Sequence, residues 1–154
     1  MTDLIYEYHT HSLNYENRCK LNNYSLTIGY LELMFDLDTD TLIGVQGFLP
    51  LIRAERCIIQ IPEAPNGTFI NPRKGSVNHN KGHIYDYFLS NEEAKEYVSN
   101  AHIKFDKVNG VIEIDIYPQH KGSSIVKIDG NIICSIDDKG ELQTLYIKPI
   151  RFDN

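Results

Sequence analysis

Along much of this chain apolar and polar residues alternate with a period of two, the spacing of a half-buried strand. The plainest case is Gly110-Val111-Ile112-Glu113-Ile114-Asp115-Ile116-Tyr117, which places Ile112, Ile114 and Ile116 inward and Glu113 and Asp115 toward water. Asn109-Gly110 ahead of it is a strong turn signal and links it back to His102-Ile103-Lys104-Phe105. Downstream, Ile125–Ile128, Ile132–Ile136 and Leu142–Ile147 are separated by Asp129-Gly130-Asn131 and Asp138-Lys139-Gly140. Four such runs at short, regular spacing predict an antiparallel meander. Nearer the start, Leu26–Leu37 reads as one run with Leu31, Leu33, Phe35 and Leu37 on one face and Tyr30, Glu32, Met34 and Asp36 on the other. Asp38-Thr39-Asp40 then turns the chain into Leu42-Ile43-Gly44-Val45, predicting a hairpin.

One helix is expected at about 91–99. Ser90 is a suitable N-cap, Glu93 three residues on completes a capping box, and Glu92, Glu93 and Glu96 sit toward the positive end of the helix dipole. Its apolar stripe, Ala94, Tyr97 and Val98, is short, which suits a helix covering a sheet margin. From Pro62 to Asn80 the periodicity is lost, marking a long loop with a functional or mobile character. The expected fold is therefore mainly β, an antiparallel sheet forming a half-barrel or sandwich with one short helix, in a single domain over 1–154. Composition agrees: Ile occurs 20 times and Ala only four, which favours pleated sheet over helix.

Charge narrows the partners. Fifteen Lys and Arg against 21 Asp and Glu give a formal charge of -6, opposite to what a nucleic-acid surface needs. No apolar run is long enough to span a membrane, and the opening residues lack the pattern of an export signal, so the expected location is cytoplasmic. Cys19, Cys57 and Cys134 are too far apart for a zinc set and too few for a disulfide framework; Cys134, inside an Ile-rich run, reads as a packed thiol.

Chemical motifs are sparse. His9-Thr10-His11 would place two imidazoles on one strand face, but no local third ligand follows, and no metal or cofactor is expected. Asp36-Leu37-Asp38-Thr39-Asp40 begins like a calcium loop, yet Thr41 stands where the loop needs glycine and Gly47 where it needs glutamate. These aspartates are expected to shape the turn by accepting bonds from nearby backbone donors. No phosphate-cradling glycine motif and no nucleophile elbow is present. Arg73-Lys74 and Lys81 make a small basic spot on the long loop. What remains is an acidic surface rich in tyrosine, including Tyr85-Asp86-Tyr87 just ahead of the acidic helix.

Two stretches carry a resemblance. Leu31-Glu32-Leu33-Met34-Phe35-Asp36-Leu37-Asp38-Thr39-Asp40-Thr41-Leu42-Ile43-Gly44-Val45-Gln46-Gly47-Phe48-Leu49-Pro50-Leu51 resembles a segment of the immunity proteins of bacterial contact-dependent growth inhibition and related polymorphic toxin systems. Ile136–Ile147, with its Asp138-Lys139-Gly140 turn, is similar to the closing hairpin of small immunity-like β domains. Together they cover about a fifth of the chain. The resemblance implies a cytoplasmic, non-enzymatic antidote that covers the active site or substrate groove of one cognate toxin domain, often a basic nuclease. No binding residue carries over by position. The acidic and aromatic positions suggest the contact: Asp38, Asp40, Asp86, Glu92, Glu93 and Glu96 against a cationic surface, with Tyr85 and Tyr87 as anchors. Two alternatives stand beside this: a small hydrolase using His79 or His83 near the long loop, and a structural β domain that associates with copies of itself.

Overall fold

A computed structural model describes residues 3–16, 22–73, 82–88, 102–116 and 124–154. The expected helix at 91–99, with Glu92, Glu93 and Glu96, lies outside the described residues, as do Cys19, Lys74, His79, Lys81 and His120. Among the described residues the regular structure is all strand. The first half supplies β1 (Leu4–Glu7), β2 (Ser12–Tyr15), β3 (Asn23–Ile28), β4 (Leu31–Asp36), β5 (Leu42–Phe48), β6 (Glu55–Arg56) and β7 (Ile84–Asp86). The second supplies β8 (His102–Asp106), β9 (Val111–Asp115), β10 (Ser124–Asp129), β11 (Ile132–Ile136), β12 (Leu142–Ile147) and β13 (Arg151–Asp153).

These strands form two sheets, in the orders β13-β1-β2-β5-β4-β3-β7 and β10-β11-β12-β9-β8-β6. Neighbours in the middle of each sheet are antiparallel, while β13, β7 and β6 add in parallel at margins. Both sheets feed one core, from Leu4, Leu33 and Val45 on one side to Ile112, Cys134 and Leu145 on the other. Phe105 of β8 meets Phe152 of β13 across the sheets, ring centroids 5.5 Å apart. The architecture is thus mainly β, two open mixed sheets over a shared interior, and it does not close into a barrel.

The hairpin turning at Asp38–Asp40 forms as expected, with Leu33 opposite Val45. Its preceding run is not one strand. Gly29, in the left-handed region at φ 62, and Tyr30 make a two-residue turn that pairs Ile28 with Leu31 and splits the run into β3 and β4. Met34, expected on the polar face, is buried beside Gly44, at an irregularity of the β4–β5 ladder. Leu37 belongs to the turn and is half-buried.

The expected four-strand meander is also corrected. β10, β11 and β12 run as a meander, but β9 pairs with β12, Ile114 opposite Leu145 and Ile112 opposite Ile147. The result is a Greek key. The physical reason is burial: β9 and β12 each carry a row of fully buried side chains and belong in mid-sheet. β10 has no clean apolar face and takes the margin. His9-Thr10-His11 lies in the turn between β1 and β2, with His11 at φ 53, so the two imidazoles do not share a strand face. The described part of the 62–80 loop is packed. Asn66 bridges to Lys127, Ile70 bridges to Thr41, and Phe69 enters the core.

Candidate interaction surface

Two acidic turns share one support. In the β4–β5 turn, Asp36 Oδ1 accepts the backbone N–H of Asp38 at 2.8 Å and of Thr39 at 3.0 Å. Those donors hold the Asp36 carboxyl below its ordinary range. The β11–β12 turn repeats the device: Asp137 Oδ1 accepts from Lys139 N at 2.8 Å and Glu141 N at 2.9 Å. Each turn is therefore rigid, with its first aspartate spent on backbone donors and its next acid, Asp38 or Asp138, exposed to solvent.

The short segment from Phe69 to Arg73 fastens both turns. Leu42 N donates to Phe69 O, and Asn71 N donates to Asp40 O, both at 2.8 Å. Asn71 Nδ2 donates to Tyr24 Oη at 2.9 Å, and that hydroxyl donates to Asp40 Oδ1 at 2.5 Å. At the segment's other end Arg73 Nε donates to Tyr87 O at 3.0 Å, and its Nη1 forms an ion pair with Glu141. Its guanidinium carbon sits 4.8 Å from the centroid of the Tyr87 ring. Tyr87 Oη donates to Glu141 Oε2 at 2.7 Å and accepts from Leu142 N at 3.1 Å. Burial first, and then the Glu141 carboxylate, push the Tyr87 phenol well above its ordinary value.

This geometry sorts the expected contact residues. Asp38 is exposed, with Asn22 Nδ2 3.4 Å from its Oδ2. Asp40 is half-buried, in the left-handed region at φ 57, and engaged with Tyr24. Tyr87 is fully buried, so it is a core side chain and not a surface anchor. Arg73 is no surface cation either: only 9% of its side chain is exposed, and it is neutralised by Glu141.

Tyr85 and Asp86 lie on β7 at the margin of the first sheet, Tyr85 half-buried and Asp86 exposed. Asp86 Oδ1 accepts the backbone N–H of Phe88 at 2.9 Å. Along β3, Thr27 stands beside Asp86 and Asn23 beside Asp36. Four strand residues separate the two sites by about 13 Å. Asp86 and Asp38 therefore do not converge on one spot. Asp138, which sequence reading took only as part of a turn, is the exposed acid of the second turn, as Asp38 is of the first. The signal was present in the repeated spacing, an aspartate followed two residues on by its own backbone donor.

A further row was also missed. On the outer face of the second sheet, Lys104 Nζ lies 3.3 Å from Glu113 Oε2 and 3.5 Å from Asp115 Oδ2. Thr144 Oγ1 donates to Asp115 Oδ1 at 3.3 Å, and Tyr146 stands opposite Glu113. Glu113 and Asp115, expected to face open water, are only 13% and 14% exposed at their side chains. Burial first, then neighbouring Asp115, raises the Glu113 carboxyl above its ordinary value. His83, considered for catalysis, lies beside Tyr85 with Nδ1 3.5 Å from the phenol, and another histidine, His102, has Nε2 3.4 Å from Glu55. Among the described residues no three His, Cys, Asp or Glu side chains are grouped to hold a metal ion. Cys134 is fully buried, as expected, and burial holds its thiol far above the ordinary range.

No protein-family model matches the chain, and no curated protein matches its sequence.

Proposed function

We propose that this protein is a cytoplasmic antidote that binds a cationic toxin domain, with the two acidic turns as its docking surface. The observation that carries this reading is the shared fastening of both turns by Phe69–Arg73, which presents Asp38 and Asp138 on inflexible backbone. In this reading their carboxylates take the place of a substrate's phosphates on the partner's cationic surface, and little conformational entropy is lost on docking because the turns are already hydrogen-bonded. Asp40 strengthens the negative field from beneath the first turn, while Glu141, paired with Arg73, serves as a fastening. Asp86 and Tyr85 extend the contact along the first sheet's margin. The role attributed to Glu92, Glu93 and Glu96 rests on the sequence alone.

The test is calorimetric titration of the whole chain with the toxin domain encoded beside it, at low and high salt. Asp38→Asn with Asp138→Asn should weaken binding about thirtyfold at low salt and flatten the salt response, since each close charge pair carries roughly 1 kcal/mol or more. Unchanged affinity and salt response would remove these turns from the interface.

A hydrolytic role is favoured by one specific feature, the grouping of Glu113, Asp115, Lys104 and Tyr146 on one sheet face with the Glu113 carboxyl raised. Turnover of a substrate by the purified chain, abolished by Glu113→Gln with the fold intact, would establish it in place of the antidote reading.

A further inference from the structure

The other ends of the same strands carry a surface of opposite character. The turn Gly29-Tyr30, the loop from Phe48 to Ile58 and the β8–β9 turn each expose large apolar side chains: Tyr30 is 80% exposed, Ile52 79% and Val108 83%. They are continuous rather than scattered. The Phe48 ring lies between those of Tyr30 and His11, with centroids at 6.0 and 6.3 Å. From His11 a shallow depression of about 220 Å³ runs past Leu51 and Ile52 to Arg56. A second depression, of about 360 Å³, runs on from Arg56 past Ile58 to Lys107 and Val108. An exposed apolar tract of this extent marks an interaction site more often than a solvent face.

Arg56, shared by both depressions, sets the chemistry. Its guanidinium carbon stacks 4.8 Å from the centroid of Phe105, which fixes its plane. Among the described residues no carboxylate pairs with it, and the flanking cations Arg53 and Lys107 are also exposed. Glu55, the neighbouring acid, lies 3.4 Å from His102 instead. The backbone here suits an extended ligand. β6 is the last strand of the second sheet, and beyond it Cys57 N still donates to Phe105 O and Ile59 N to Asp106 Oδ2. The stretch therefore lies flat along β8 with its other edge at the sheet margin, where a partner's main chain can add.

We propose that this end of the sandwich receives an extended acidic segment of a second protein, its carboxylate over Arg56 and its apolar side chains in the two flanking depressions. The site lies apart from the acidic turns and selects the opposite charge, so it is independent of toxin binding. A cationic toxin surface is repelled here, whereas an apolar-acidic-apolar strand meets both the rings and the guanidinium.

The test uses the whole chain, labelled with nitrogen-15, and two synthetic capped peptides, Leu-Ser-Glu-Ser-Leu and Leu-Ser-Lys-Ser-Leu. The glutamate peptide should move the amide resonances of Ile52, Arg56, Ile58 and Val108 saturably, and the lysine peptide should bind at least about tenfold more weakly. Arg56→Glu should reverse that preference. Arg56→Gln, which keeps hydrocarbon over Phe105, should abolish it while leaving the thermal midpoint unchanged. Equal binding of the two peptides, absence of shifts, or shifts confined to other residues would overturn the proposal. So would sedimentation of the chain with phosphatidylglycerol vesicles in place of peptide binding, which would identify the surface as a membrane contact.

Discussion

Replacing Tyr87 with phenylalanine removes one oxygen atom and leaves a core ring in place. That oxygen serves two partners, as donor to Glu141 Oε2 at 2.7 Å and as acceptor from Leu142 N at 3.1 Å. Leu142 is buried, so its orphaned N–H loses its partner without gaining water, a loss of about 1–3 kcal/mol. The bond to the Glu141 carboxylate is charge-assisted, nominally about 1.5–3 kcal/mol, but it must be discounted for partial solvent access. Glu141 keeps 27% side-chain exposure and its ion pair with Arg73. The sum is about 2–4 kcal/mol, or roughly 4–16 °C in melting temperature for a chain of this size. Urea unfolding followed by circular dichroism measures it as a lower midpoint at unchanged slope. Tyr30→Phe, at a side chain in open water, should stay within about 0.5 kcal/mol of the parent. In a Glu141→Ala background the Tyr87→Phe cost should shrink by about 1 kcal/mol, because the two groups share one network. A Tyr87→Phe loss below about 0.5 kcal/mol would refute the reading of this tyrosine as a fastening of the acidic turns.

Other expectations concern backbone and pH. Gly47 adopts φ 118, and a Cβ there would stand 2.5 Å from the Tyr30 carbonyl oxygen, so Gly47→Ala should destabilise by about 2–4 kcal/mol. A chemical-denaturation cost under about 0.5 kcal/mol would contradict the register of β2, β5 and β4. Burial pushes the Tyr6 and Tyr15 phenols up to about 12 and holds those of Tyr24, Tyr87 and Tyr146 above their ordinary value. Since the folded state then keeps protons that the unfolded state releases, this stability is complete below about pH 10 and lost as the pH rises toward about 12. With no tryptophan in the chain, tyrosinate absorbance reports it directly. The buried phenols should ionise only as the β signal disappears, whereas their smooth titration near pH 10 with the β signal intact would contradict it.

The strands were legible because alternation states which side chains are buried, as at Ile112, Ile114 and Ile116, all of them in the core. Turns whose residues declare themselves were legible too: Asp38–Asp40 and Asn109-Gly110 both close hairpins. Gly29-Tyr30 was missed because a single glycine amid apolar residues does not announce a turn until its φ is seen. The order of strands in the second sheet was missed for another reason. Pairing β9 with β12 satisfies burial across more than twenty-five intervening residues, and local pattern carries no such information. The candidate surface was half legible. Asp38 followed from turn chemistry, but the burial of Tyr87 depends on Arg73, Glu141 and Leu142, which lie 14, 54 and 55 positions away. The tie between the second turn and Arg73 runs through Glu141, 68 positions away, and local pattern does not carry it.

The claim that matters most is that the acidic turns meet a protein partner. Hydrogen exchange of the whole chain, alone and saturated with the cationic toxin domain proposed as its partner, addresses it residue by residue. The account predicts slowed exchange at the backbone of 37–41 and 137–141, with the loop from Phe48 to Ile58 unchanged. Protection confined to that loop, or none anywhere at saturating toxin, would contradict it.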